Sequence, residues 1–151
     1  SSAASDVYKR QIVPDQAVDP LIRIAQNLFI CPSVVAQGAA VAAFREEAIE
    51  EADRRSLDLA QKRRLMSEGL KAIGFTIPAN PDGAFYLFAE VPAGAPDAKT
   101  FCEQALQQVG VAMTPGIDFG DNGTERFVRI SCAQPTSALL DALQRLRGLA
   151  A

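Results

Sequence analysis

The pattern of hydrophobic and polar positions divides the chain into helical and strand-like stretches. Some stretches repeat apolar residues every three to four positions, the period of a helix with one buried face. These stretches are 21–28, 49–73, 101–109 and 139–146. Others are short runs rich in β-branched and aromatic residues, which is typical of strands. These runs are 74–77, 84–88, 111–114 and 126–131. From residue 45 onward the predicted order is helix, two strands, helix, two strands, helix. That order predicts an α/β fold, of the α+β kind, with helices packed on a small sheet.

Residues 12–44 add two predicted helices. Asp19 and Pro20 have the form of an N-cap followed by the first helical residue. Ser33 is the predicted cap of a second helix over 34–44, which is rich in Ala and Gly and nearly free of charge. A helix that is apolar on all sides is expected to be buried against other structure. The rest of the chain offers little to cover it, which suggests that the whole protein is longer.

The stretch from 45 to 72 is predicted to be a long surface helix that ends at Gly74. It carries seven basic and seven acidic residues. Many of them stand four positions apart with opposite charge, which stabilises a helix. The predicted pairs are Glu50 with Arg54, Glu51 with Arg55, and Asp58 with Lys62. The basic run 62–64 is compatible with a nucleic-acid patch, but a solvated helix face with balanced charge explains it better.

Composition narrows the classes of protein. The 151 residues carry a net charge of −3 and are 48% hydrophobic, as expected of a globular chain that buries a core. A small acidic charge does not favour nucleic-acid binding, and no stretch has the apolar length of a membrane-spanning helix. There is no histidine, which excludes Ser-His and Cys-His nucleophile pairs and His-ligated metal, so no metal site is expected. Cys31, Cys102 and Cys132 are far apart and are expected to be buried, reduced side chains. With no visible secretory signal, they favour the cytoplasm.

Residues 1–11 do not follow the pattern of the rest. They are polar and have neither a helical nor a strand period. The segment 6–11 back-translates into a string that looks like a transposon-end adaptor from sequencing libraries. We interpret residues 1–11 as a translated adaptor scar that is expected to be disordered, and we expect the gene to be cut on its 5′ side.

Two features of the C-terminal half are candidates for chemistry. Arg129 lies in the middle of a predicted strand and shares one face with Phe127 and Ser131. Its charge needs a partner, and the residues alone leave open an internal salt bridge, an exposed edge position or a clamp for an anionic ligand. The glycine-rich loop 115–123 is the second candidate, because glycines permit close approach of the backbone. It does not match the phosphate-binding patterns GxGxxG or GxxxxGK[ST].

Four motifs in order resemble the C-terminal part of the class I/II pyridoxal-phosphate-dependent aminotransferases, the aspartate aminotransferase superfamily. They are FICPS at 29–33, DGAFYLF at 82–88, GVAMTPGxxFG at 110–120 and FVRISxA at 127–133. The resemblance runs from about residue 12 to near the end of the chain.

The resemblance implies several properties. Residues 12–44 would be the end of a large cofactor-binding domain, and 45–151 the C-terminal small domain of the fold. Arg129 would bind the α-carboxylate of an amino-acid substrate, with a 2-oxo acid as the second substrate. The loop beside the active site would contain Pro115, Gly116, Phe119 and Gly120. The whole protein would use pyridoxal 5′-phosphate and form a homodimer.

The Schiff-base lysine of that family would lie upstream of residue 12. None of Lys9, Lys62, Lys71 and Lys99 has the serine-rich surroundings of that lysine. No catalytic residue is therefore expected in these 151 residues, which are predicted to be inactive alone.

Two other functions remain open. One is a C–S lyase reaction on the same scaffold, which shares the cofactor and the fold. The other is a non-catalytic module that binds a small molecule, against which the uncovered apolar helix 34–44 argues. Arg129 would recognise the group common to all α-amino acids, so the particular substrate is left open.

Overall fold

The structure is a computed structural model that describes residues 12–28, 30–31, 33–79 and 81–150. The segment 1–11, interpreted above as an adaptor scar, and Lys9 within it lie outside the described residues. The helices are α1 (Asp15–Leu28), α2 (Val34–Ala42), α3 (Glu46–Ala72), α4 (Ala98–Val109) and α5 (Thr136–Ala150). The strands are β1 (Tyr86–Glu90), β2 (Thr114–Pro115) and β3 (Phe127–Ser131), and a 3₁₀ helix spans Gly116–Phe119. The chain separates into two compact units, divided after Ile49.

The first unit contains α1 and α2. The prediction that α1 begins at Asp19 is wrong, because hydrogen bonding starts earlier, where the amide of Ala17 donates to the carbonyl of Pro14 (2.8 Å). Pro20 lies inside the helix, where it lacks one amide donor. The predicted cap of α2 is confirmed, since the Ser33 hydroxyl accepts a hydrogen bond from the amide of Ala36 (3.2 Å). No residue of α2 is buried in the described structure.

The second unit is built on a three-stranded antiparallel sheet with the strand order β1-β3-β2. Phe88 of β1 lies opposite Arg129 of the central strand, and Thr114 of β2 lies opposite Arg129 on the other side. Alternate residues of each strand point to opposite faces. Val128 and Ile130 are buried on one face, whereas Arg129 points to the other.

Helices α3, α4 and α5 supply the side chains that cover the buried face. The core combines buried residues of β1 and β3 with buried residues of all three helices. Its large members are Met66, Leu70, Leu87, Phe101, Val128 and Leu146. Helices on one face of a small sheet confirm the predicted fold class. The apolar repeats over 101–109 and 139–146 also contain Leu106 and Leu140, which are not part of the core. They are 57% and 51% exposed, because they lie at the margins of their helices' buried stripes.

The long helix α3 follows the prediction closely. It ends before Gly74, whose φ of 95° is a conformation that favours glycine. The pairs Glu51–Arg55 and Asp58–Lys62 form with N···O distances of 2.6 Å. Arg54 pairs with Glu51, one turn away at spacing three, instead of with the predicted Glu50. These exposed pairs support the interpretation of α3 as a solvated charged helix.

Local interactions define both ends of α4. The Asp97 carboxylate accepts hydrogen bonds from the amide and the hydroxyl of Thr100 (3.1 and 2.8 Å), which caps the helix. These bonds to Thr100 hold the pKa of Asp97 below its usual value. Gly110 ends the helix with a φ of 67°. The strand predicted for 111–114 is reduced to Thr114–Pro115.

Candidate functional site

The candidate site lies on the outer face of the sheet, opposite the core. Cross-strand pairing places Tyr86 and Phe88 of β1 on the same face as Phe127 and Arg129 of β3. The rings of Phe88 and Phe127 stack with their centroids 5.0 Å apart and nearly parallel. Tyr86 and Phe88 are each 39% exposed. The outer face is thus an aromatic surface with one cation in it.

Arg129 is half-buried and contacts two aromatic rings. Its guanidinium carbon lies 5.2 Å from the centroid of the Tyr86 ring and 4.6 Å from that of the Phe119 ring. Within the described residues, no carboxylate forms an ion pair with Arg129 and no acceptor takes a hydrogen bond from it. A guanidinium carries five N–H donors in a planar fork. Its donors are therefore available to an anion from outside this part of the chain.

The glycine-rich loop folds over the end of this face. Pro115 pairs with Val128 at the end of β2, and the 3₁₀ helix starts directly after it. A Cβ at Gly116 would lie 2.7 Å from the carbonyl oxygen of Thr124 and 2.8 Å from that of Phe127, so only glycine allows this close approach. Gly120 ends the 3₁₀ helix with a φ of 132°.

Of the four loop residues named above, Phe119 is the one whose side chain contacts Arg129. Pro115 and Gly116 shape the backbone that leads to it. Gly120 has open space where its Cβ would be, and its carbonyl accepts a hydrogen bond from the Thr124 hydroxyl. The loop therefore places the Phe119 ring in contact with the Arg129 guanidinium.

A second arginine nearby has the opposite environment. Arg126 donates from Nε to the Glu90 carboxylate (3.1 Å) and from its terminal nitrogens to the carbonyls of Val91, Pro92 and Ala95 (3.1, 2.8 and 3.3 Å). Its donors are committed to the segment that joins β1 to α4. Arg126 is thus a structural clamp just before β3. Among the described residues, Arg129 differs from it in having no internal hydrogen-bond acceptor.

Arg63 of α3 fixes the entry to β1. Its terminal nitrogens donate to the carbonyls of Ala84 (2.6 Å) and Asp82 (3.4 Å), and its Nε is buried without a partner. Ala84 has a φ of 57°, a conformation unusual outside glycine. This clamp holds the turn two residues before Tyr86, so it bears on the position of the Tyr86 ring.

The cysteines are not part of the site. Cys102 and Cys132 are buried as expected, but Cys31 is exposed, which corrects the expectation that all three are buried. Burial raises the pKa of the Cys102 thiol to about 11, and the negative charges of Asp118 and Glu103 add to the rise. Burial also raises the pKa of Cys132, against the lowering effect of the Arg63 charge. Neither buried thiol is activated as a nucleophile.

Other classes of site find no support in the described part of the chain. Within it, His, Cys, Asp and Glu side chains form no group of three or more that could hold a metal ion. Within the same residues, none of the helices has both the length and the apolarity needed to cross a membrane.

Sequence reasoning missed three contributors to this arrangement. Tyr86 was part of a recognised strand motif but was not assigned to the site, and Arg63 and Arg126 were not recognised as clamps. Strand register would have revealed Tyr86, because a residue of β1 falls on the face of Arg129 once the two strands are aligned. The clamps bind main-chain carbonyls, for which the sequence carries no signal.

Comparison with known proteins shows to which family the chain is similar. The family described as aminotransferase class I and II matches residues 11–146. The chain is 44% identical over 120 residues to a valine–pyruvate aminotransferase of Mycobacterium tuberculosis, a match that covers 80% of this chain and 31% of that protein. It is 37% identical over 133 residues to the LL-diaminopimelate aminotransferase of Desulforudis audaxviator, covering 87% and 33%.

Solved structures agree with these relatives. The chain superposes on the crystal structure of an aminotransferase from Mycobacterium tuberculosis with a TM-score of 0.85 and 40% identity, covering 91% of this chain and 35% of that one. It superposes with a TM-score of 0.84 and 30% identity on a Methanococcus jannaschii protein whose active site is described as similar to that of kynurenine aminotransferases, covering 93% and 37%. The chain thus spans about a third of the length of the proteins it matches.

Proposed function

Because the chain belongs to the class I and II aminotransferase family, we propose that it forms the carboxylate-binding part of an enzyme that transfers an amino group from an α-amino acid to a 2-oxo acid. Arg129 binds the α-carboxylate, which amino-acid and oxo-acid substrates share. The loop containing Pro115, Gly116, Phe119 and Gly120 borders this contact. We further propose that the whole protein is a cytoplasmic homodimer.

One observation carries this proposal. A half-buried guanidinium lies on an aromatic sheet face and is paired with no acid of the described chain. A charge in such surroundings gains most from a ligand that brings its own negative charge. A carboxylate matches the two parallel N–H donors of arginine, and the contact fixes both the position and the rotation of the bound molecule. Held there, the substrate presents its amino group in one orientation to the rest of the enzyme.

The described residues fit this carboxylate contact but do not form a site for the cofactor. Family membership implies pyridoxal phosphate for the whole protein. The described lysines are Lys62, Lys71 and Lys99, on α3 and α4, and these helices pack on the sheet face opposite Arg129. Lys62 is also paired with Asp58.

The test is substitution of Arg129 in the full-length enzyme. We expect Arg129→Ala to raise KM and to lower kcat/KM for every amino-acid substrate, because a charge-assisted bidentate contact is lost. The expected cost is roughly 2–5 kcal/mol, which is about 30-fold or more in kcat/KM. Arg129→Lys keeps the positive charge but lacks the two parallel N–H donors, so we expect its kcat/KM to lie between those of Arg129→Ala and the parent enzyme. Steady-state kinetics measure both variants.

Two controls make the result specific. Arg147→Ala removes an exposed arginine from α5 and should leave kcat/KM unchanged. A primary amine that matches the substrate but lacks the carboxylate should react equally slowly with the parent enzyme and with Arg129→Ala. Unchanged kinetics of Arg129→Ala on amino acids would refute the carboxylate role. Pyruvate and ammonia, in place of a 2-oxo acid and an aminated acceptor, would favour the C–S lyase reaction.

A further inference from the structure

Arg129 is restrained by aromatic rings from two separate elements. Tyr86 belongs to β1, and Phe119 is the last residue of the 3₁₀ helix. A cation within about 6 Å of a ring centroid is attracted by the negative face of the ring. The distances from Arg129 to both rings, 5.2 and 4.6 Å, satisfy this condition.

We propose that Tyr86 and Phe119 are positioning residues that hold the Arg129 guanidinium ready for a substrate carboxylate, a role that rests on the function proposed above. Attraction to a ring face does not neutralise the charge and does not occupy the in-plane N–H donors. An acidic residue in the same place would do both. The two rings therefore restrain the side chain and leave free the groups that bind a carboxylate.

The glycine-rich loop is built to keep one of these rings in place. Gly116 lets the loop contact the carbonyls of Thr124 and Phe127, which anchors the 3₁₀ helix against the start of β3. The Thr124 hydroxyl donates to the Gly120 carbonyl and closes the loop behind Phe119. One of these contacts is with Phe127, which lies two residues before Arg129 on β3. The position of the Phe119 ring is thus set relative to the guanidinium that it contacts.

Restraint of this kind benefits binding because a free arginine side chain loses many rotamers when it grips a ligand. A side chain already held in the binding conformation loses less, so the same hydrogen bonds give tighter binding. The restraint contributes little to the core, since Phe119 is 52% exposed and Tyr86 is 39% exposed. Substitution of either ring should therefore leave the fold intact.

The first test measures the order of the Arg129 side chain in the 151-residue chain. Nitrogen-15 relaxation of the Nε–Hε group gives an order parameter, and the signal is assigned by its loss in Arg129→Lys. We expect Phe119→Leu and Tyr86→Leu to lower the order parameter from the range of a rigid group, about 0.85, to that of a flexible one, below about 0.6. Phe119→Tyr and Tyr86→Phe keep the rings and should keep the order. Ile117→Ala, on the same 3₁₀ helix and 43% exposed, is the matched control and should change nothing.

The second test measures kinetics in the full-length enzyme. We expect Phe119→Leu to lower kcat/KM for amino acids about tenfold, mainly through KM. In an Arg129→Ala background the same substitution should have no further effect, because its influence passes through Arg129. A ring that merely stabilised the loop would lower activity in both backgrounds.

The outcomes separate the two proposals. An unchanged order parameter in both leucine variants would overturn the positioning role, whatever Arg129 binds. An equal loss in the parent and the Arg129→Ala backgrounds would overturn it as well. Normal kinetics of Arg129→Ala would instead overturn the carboxylate role, and with it the use assigned to the rings. Loss of order and an Arg129-dependent loss of kcat/KM, together, would support the proposal.

Discussion

Arg126 and Arg129 are three residues apart in the sequence, but their guanidinium groups have different partners. Arg126 donates to one carboxylate and three carbonyls, whereas Arg129 lies over two rings and has no hydrogen-bond acceptor among the described residues. The residue type is identical, so the difference comes from what the neighbouring strands and loops bring to each position. At this scale, the absence of an internal acceptor among the described residues makes Arg129, and not Arg126, the candidate ligand-binding arginine.

The cysteines give a prediction at the residue scale. In the folded chain at pH 8 we expect one thiol, that of Cys31, to react rapidly with an alkylating reagent. The thiolate is the reactive form, and a pKa of about 11 leaves about one Cys102 side chain in a thousand ionised at that pH. Raising the pH toward 11 should increase the reactivity of Cys102. Mass spectrometry after brief labelling measures the modified fraction at each site.

Unfolding the chain supplies the control for this experiment. In strong urea all three thiols should be labelled at similar rates, since the burial that raises the pKa of Cys102 and Cys132 is lost. Rapid labelling of Cys102 in the folded chain at pH 8 would contradict the buried environment described here.

At the scale of elements, the segment between β2 and β3 positions the Phe119 ring relative to Arg129. At Gly116 the 3₁₀ helix packs closely against the carbonyls of Thr124 and Phe127. Its last residue, Phe119, supplies the ring that contacts Arg129. A loop of this composition could have been a phosphate cradle. The observed geometry instead assigns its glycines to close packing and to a turn.

Substitution of Gly116 tests this role of the loop. We expect Gly116→Ala to destabilise the chain by roughly 1–3 kcal/mol, because the new Cβ would meet two carbonyl oxygens of the backbone, which cannot rotate away. Urea unfolding followed by circular dichroism measures the change. Gly94→Ala is the matched control, since a Cβ there has nothing within 4 Å, and it should alter the free energy of unfolding by less than about 0.5 kcal/mol. Equal stability of the two variants would refute the close-packing role.

At the scale of the whole molecule, the described residues offer the proposed carboxylate contact at Arg129 but no lysine on the same face of the sheet. The described lysines lie on helices that cover the inner face of the sheet, and Arg129 lies on the outer face. The chain also spans about a third of the length of its relatives. We therefore expect an active enzyme to need further elements that face the outer surface of this sheet.

This arrangement predicts that the 151-residue chain alone has no transaminase activity. Mixed with pyridoxal phosphate, it should give no stable Schiff-base absorbance band at stoichiometric occupancy. Borohydride reduction and peptide mapping should find at most scattered, partial labelling of surface lysines. The full-length enzyme under the same conditions is the positive control. A single lysine of the short chain labelled in full would contradict the prediction.

Much of the fold was predictable because its signals are local. The cap at Ser33, the cap at Asp97 and the glycine after α4 each act within one turn of chain, so a short window contains both partners. The alternation of Phe127, Val128 and Arg129 likewise follows from the geometry of a single strand. The prediction that a helix starts at Asp19 was wrong, because the helix begins at Asp15 and tolerates Pro20 in its interior.

The sequence by itself therefore determined the order of the helices and of three of the four predicted strands, the two faces of β3, the family and the candidacy of Arg129. The strand predicted for 74–77 was wrong, because that stretch forms only a single bridge between Thr76 and Glu90. The tertiary structure alone decided that Arg126 binds Glu90 and three main-chain carbonyls, that Arg129 contacts the rings of Tyr86 and Phe119, and that Cys31 is exposed. The physical reason is distance along the chain. Caps and strand periods act over a few residues, whereas the partners of an arginine come from strands and loops up to 43 positions away, and only the folded chain brings them together.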